Sequence, residues 1–179
     1  MRKKEIIVGI SGSIAAYKAV EVVSRLTKVK ANVSVIMTVS ATRFVTPLTL
    51  QTISKNRVMV DLFDRPEGLN PVHISLSEKA DLILICPATA NVIAKLAAGI
   101  ADDLLTCTVL AFQRKVLICP AMNERMYKNK IVQTNIQKLK KLGYLFIGPG
   151  QGDLASGSRG KGRLAEAKTI LKEVNKSLR

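Results

Sequence analysis

The chain has 179 residues, 28 Lys and Arg against 13 Asp and Glu, and a formal net charge of +15. Its 47% apolar content fits one globular domain, residues 1–179, with a core of its own. Aromatics are 4% and Trp is absent, which argues against a stacking platform for single-stranded nucleic acid; no apolar run approaches the roughly 20 residues of a membrane span.

The cations are dispersed over Arg2 to Lys4, Lys28 and Lys30, Lys138 to Lys141, and Arg159 to Arg163. They read as solvated faces and as attraction for a small anionic substrate, with no nucleic-acid motif beside them. Cys86, Cys107 and Cys119 lie in apolar contexts with no metal-ligand spacing, so buried reduced thiols and no metal are expected. The opening Met-Arg-Lys-Lys leads into an apolar run too short for a signal peptide, and a cytoplasmic protein is expected.

Glu5 to Ile10 is a short apolar run rich in β-branched residues, read as a strand, with a turn over Ser11 to Ser13. Ile14 to Lys28 reads as a helix, Asn32 to Thr38 (NVSVIMT) as a second strand, and Pro47 to Ser54 as a short helix. Phe63 to Val72 is a Pro/Gly-containing loop. Asp81 to Cys86 (DLILIC) and Lys115 to Cys119 (KVLIC) are further strands, and Tyr144 to Ile147 a weaker one. Helical stretches cover Asn91 to Ala98, Asp102 to Phe112, Ile131 to Leu142 and Ala165 to Leu178. Strands without polar alternation are buried on both faces, as in a parallel sheet covered by helices. The fold class is therefore α/β, a single doubly wound domain, Rossmann-like or flavodoxin-like, with a parallel sheet flanked by helices.

In such folds ligands sit beyond the carboxyl ends of the strands. The first strand leads into "SGSIA", whose Gly12 and Ser13 suit either a phosphate at a helix N-terminus or a tight turn. The spacing is not that of a dinucleotide fingerprint. Thr38 and Ser40 follow the second strand and could meet a phosphate or ribityl group, or cap a helix. Thr89, Ala90 and Asn91 (PATAN) are small and polar where a planar ligand could pack, or a helix could be capped. His73 is the single histidine, a natural general base at neutral pH or an ordinary surface residue. Asn123, after the strand end in "PAMNERMY", could hold a carboxylate.

"SGSIAAYK", "PATAN", the lone His in "VHIS", "ADDLLT", "PAMNERMY" and a late Gly-rich stretch occur in one order over the whole chain. In this the sequence resembles the homo-oligomeric flavin-containing cysteine decarboxylases, and within them the branch that acts on phosphopantothenoylcysteine. The resemblance implies FMN in a crevice between subunits of a homotrimer, which in the family assembles further into a homododecamer. It assigns cofactor contacts to Gly12, Ser13, Ile14, Thr38, Val39, Ser40, Thr89, Ala90, Asn91, Val92 and Ala121. It makes His73 the catalytic base and Asn123 the holder of the substrate carboxylate. Residues 150–165 become a substrate clamp whose glycines let it open and close, with Asp153, Leu154, Ala155, Lys161 and Arg163 meeting the anionic substrate.

The implied reaction is oxidation of the cysteine thiol towards a thioaldehyde, easy loss of carbon dioxide, and reduction of the resulting enethiol to 4'-phosphopantetheine in coenzyme A biosynthesis. Here the sequence departs from the pattern. The family's proton-donating cysteine aligns with Ser156, and a hydroxyl is far less acidic than a thiol of pKa about 8.5. The expectation is a reaction arrested at the enethiol. An engineered replacement, a relative that stops there as the peptidyl-cysteine decarboxylases of peptide-antibiotic maturation do, and a mixed oligomer supplying the cysteine are three explanations. A non-catalytic flavoprotein or regulatory subunit is the reading from another class.

Overall fold

The computed structural model describes residues 2–63, 71–153, 157 and 159–179. Eight strands and eight helices alternate among them. The strands are β1 (Glu5–Ile10), β2 (Asn32–Met37), β3 (Val58–Met59), β4 (Leu82–Ala88), β5 (Val116–Pro120), β6 (Leu145–Phe146), β7 (Gly150–Asp153) and β8 (Arg159–Arg163). The helices are α1 (Ala16–Lys28), α2 (Pro47–Ser54), α3 (Val72–Lys79), α4 (Ala90–Ala98), α5 (Leu104–Ala111), α6 (Glu124–Lys128), α7 (Lys130–Lys141) and α8 (Ala167–Ser177).

The first six strands form one parallel sheet in the order β3-β2-β1-β4-β5-β6. This is the Rossmann order, which narrows the two alternatives offered by the sequence. Its strands lack polar alternation because both faces are covered. Leu82, Leu84 and Cys86 of β4 point into one core with α1, α2 and α8. Ile83, Ile85 and Ala88 point into the other, with α3, α4, α5 and α7. In α1 the apolar residues Ala16, Ala19, Val22, Val23 and Leu26 recur at helical spacing and are all buried. Val22, Val23 and Leu26 are each worth about 1.5–3 kcal/mol on burial, set against the entropy of ordering the chain.

The central strands and long helices fall where the sequence puts them, to within two residues. Four features differ. β3 is two residues long, too short for a period. His73 sits in the first turn of α3, a helix that the sequence reading does not include. α6 adds a short helix within "NERMYK". Where one loop over 150–165 is expected, β7 and β8 pair as an antiparallel hairpin; its four glycines hide the strand signal. Cys86 and Cys119 are buried as expected, and burial pushes the Cys119 thiol well up. Cys107 is only half-buried. No helix among the described residues is long and apolar enough to cross a membrane.

Candidate functional site

Strand order reverses between β1 and β4, so the loops leaving these two strands diverge to opposite faces and open a crevice. One side chain holds the loops in register. The Ser11 hydroxyl, 1% exposed, donates to Pro87 O at 2.7 Å and accepts the Thr89 N–H at 2.9 Å. Thr89 then caps α4 by accepting the Val92 N–H, and α4 begins at the crevice wall. Ser11 is the residue that sequence reasoning passes over: a lone serine in a turn carries no signal of what it bridges.

The crevice has a volume of about 590 Å³. Gly12 to Ala15 and Tyr17 form one side, Thr89 and Ala90 the floor, and Ala121 to Asn123 the side after β5. The hairpin closes the rest with Asp153 and the Gly162–Leu164 stretch. Arg163 lies across Gly152 and pairs with Glu166 at 3.4 Å. Asn123 caps α6, its Oδ1 accepting the Arg125 N–H at 2.8 Å, which fixes the plane of the side-chain amide.

Of the site residues expected from sequence, Gly12, Ser13, Ile14, Thr89, Ala90, Ala121, Asn123, Asp153 and Arg163 come together here. Others stand apart. Ser40 packs behind Gly12, where a Cβ on Gly12 would lie 2.4 Å from the Ser40 Cβ. Thr38 caps the turn Val39–Arg43, and Val39 points outward. Val92 faces the core and Asn91 solvent. The Lys161 ammonium lies over the Tyr127 ring, 5.7 Å from its centroid, away from the crevice lining. His73 is not in the lining either; its Nδ1 is buried without a hydrogen-bond partner among the described residues. Leu154, Ala155 and Ser156 lie outside the described residues.

The hairpin glycines serve close approach. A Cβ on Gly162 would fall 2.2 Å from Met122 O, and the Met122 N–H donates to Gly162 O at 3.0 Å. Glu124 accepts the Lys161 N–H and pairs with Lys128, and these two contacts hold its carboxyl below the usual range, Lys128 first.

The lining fits a flavin nucleotide. Small residues at Gly12, Ala15, Ala90 and Ala121 leave flat walls, the volume is that of a cofactor pocket, and α1 opens onto the crevice with no side-chain cap on its N-terminus. Fold and crevice together define a doubly wound nucleotide-binding domain.

The chain belongs to the Flavoprotein family, which matches residues 1–179. It is 48% identical over 176 residues to the coenzyme A biosynthesis bifunctional protein CoaBC of Bacillus subtilis, covering 98% of this chain and 43% of that one. It thus spans less than half the length of that relative. It is 45% identical to a probable phosphopantothenoylcysteine decarboxylase of Streptococcus mutans, covering 98% of this chain and 99% of that one. Among solved structures it is similar to a PPC decarboxylase with a cysteine-to-serine substitution, complexed with pantothenoylaminoethenethiol. That likeness has a TM-score of 0.88 and 32% identity over 97% of each chain. The FMN-dependent cysteine decarboxylase SpaF follows with a TM-score of 0.86 and 29% identity, over 98% of this chain and 95% of that one.

Proposed function

We propose that the chain is an FMN-dependent cysteine decarboxylase acting on 4'-phosphopantothenoylcysteine in coenzyme A biosynthesis. The observation that carries this is the crevice at the strand-order reversal, where flat small-residue walls meet one amide (Asn123) and one guanidinium (Arg163). The Streptococcus relative of equal length supports the substrate.

FMN, when bound, supplies a two-electron acceptor for the cysteine thiol. Gly12, Ser13 and Ile14 at the open end of α1 would hold its phosphate, Ser13 through its hydroxyl because its N–H already donates to Ser11 O at 2.8 Å, and Thr89, Ala90 and Ala121 would line its ring. Asn123 offers amide hydrogens to the substrate carboxylate in a plane fixed by its cap on α6. Arg163 answers the substrate phosphate with a forked pair of donors.

His73 takes the proton in this reading, and a second copy of the chain brings it to the crevice. Its Nδ1 is buried with no hydrogen-bond partner among the described residues, which leaves it open to a group beyond them. Exposed apolar side chains at Ile14, Tyr17, Phe44, Leu48 and Met126 supply a surface for self-association as a homotrimer. Ser156 stands where the family places its proton donor, so the product leaves as the enethiol.

Purified protein incubated with phosphopantothenoylcysteine tests this by mass. Loss of carbon dioxide plus two hydrogens is expected, and the Ser156→Cys variant should lose carbon dioxide alone. FMN-loaded protein that changes neither this substrate nor a peptide ending in cysteine overturns the enzyme reading. Turnover of the peptide alone transfers it to the peptidyl-cysteine decarboxylases.

A further inference from the structure

Two walls of the crevice come from distant parts of the chain, the turn after β5 and strand β8, and Glu124 joins them. Its Oε1 accepts the Lys161 backbone N–H at 3.2 Å and takes Lys128 Nζ at 2.9 Å. Gly160 makes the room: a Cβ there would lie 2.4 Å from Glu124 Cδ and 2.5 Å from Oε2. A side chain at position 160 would therefore evict the carboxylate. Two residues on, the Met122 N–H to Gly162 O bond repeats the fastening. The Lys161 ammonium meets the Tyr127 ring of the same helix.

α6 buries none of its residues, so its contribution to the core is small. What it does hold is β8, by one carboxylate and one ring. Lys128, one turn along, pairs with the same carboxylate oxygen. None of the roles assigned above uses Glu124.

We propose that Glu124 is a positioning residue for the substrate. It fastens β8 to the turn after β5 and so fixes the separation of Arg163 from Asn123, which grip opposite ends of the substrate. The substrate in this statement rests on the decarboxylase reading; the fastening itself does not. Two grips at a set separation act together in binding, so loosening one wall raises KM and leaves kcat nearly unchanged.

The test uses FMN-loaded protein. In Glu124→Ala the Lys161 and Met122 amides should exchange with deuterium about tenfold faster, and KM for phosphopantothenoylcysteine should rise about five- to tenfold. Glu124→Gln keeps the acceptor for Lys161 and should stay within about twofold of wild type, because an exposed ion pair adds little. Gly160→Ala keeps Glu124 but displaces its carboxylate, and should reproduce the Glu124→Ala result. A residue that merely supports the fold would lower the melting temperature without splitting KM from kcat. Unchanged amide protection in Glu124→Ala overturns the proposal, as does a Gln variant as impaired as the Ala one. If wild type turns over no phosphopantothenoylcysteine, the decarboxylase reading fails, and amide exchange alone still decides whether Glu124 fastens the wall.

Discussion

Replacing Ser11 with Ala removes one oxygen and two hydrogen bonds from the floor of the crevice. The Pro87 carbonyl keeps a donor, since the Ser11 backbone N–H also reaches it at 3.2 Å. The Thr89 N–H loses the hydroxyl that accepts it. Ser11 is 1% exposed, while Thr89 is half-buried and lines the crevice. The Thr89 N–H without the hydroxyl costs about 1–3 kcal/mol, the lower figure where crevice water reaches it, and the lost bond to Pro87 about 1 kcal/mol more. The sum is about 2–4 kcal/mol, a fall in melting temperature of about 4–16 °C at 2–4 °C per kcal/mol for a chain of this size. Calorimetry on wild type and Ser11→Ala, each with and without FMN, measures it. FMN should also dissociate more readily from the variant, because Thr89 loses its bond to the turn that carries Ser13, leaving the Ser11 N–H to Pro87 bond to link the two loops. A variant that melts within about 1 °C of wild type and binds FMN equally well would refute the claim that this hydroxyl holds the two loops.

Gly162→Ala should push β8 off the turn after β5, because the new methyl would meet backbone rather than a yielding side chain. Faster exchange of the Met122 amide and a rise in KM should follow; full protection would count against the close-approach argument. Asp81 gives the acid-side prediction. The Glu5 N–H holds its carboxyl below the ordinary range, with Arg2 and Arg114 adding to this against the opposing effect of burial. Its stabilising contribution is therefore complete above the unfolded value of about 3.9 and is lost as pH falls through the lower folded value. Asp81→Asn should be less stable than wild type to urea at neutral pH, with the difference narrowing below about pH 4. His73→Asn should retain FMN and its melting temperature to within about 2 °C while losing turnover. Full activity in that variant would remove His73 as the base.

The sheet was legible because burial on both faces leaves apolar runs that nothing else in the chain imitates. DLILIC and KVLIC are such runs, and they end where the crevice begins. The hairpin was not, because Gly150, Gly152, Gly160 and Gly162 carry no β-propensity; their value lies in what they let approach, which is tertiary information. Thr38 and Ser40, after a strand, suit either ligand hydroxyls or caps from sequence; in the structure Thr38 caps a turn and Ser40 backs Gly12. Both kinds of residue look alike until the second loop is in place. His73 had no local signal either way: its helix is eight residues long and only Val72 and Ser77 of it are buried.

The bond from Met122 to Gly162 and the glycine contacts that secure β8 are made by main chain and missing side chains, and in Glu124 to Lys161 the donor is again backbone. They are therefore indifferent to what stands at positions 159 and 163, and at 161 only the ammonium contact with the Tyr127 ring depends on the side chain. Under the proposed function, a relative could exchange the side chains at 159 and 163 and meet a substrate of different charge while the strand stayed where it is. The hairpin would in that sense be a replaceable nameplate on a fixed bracket.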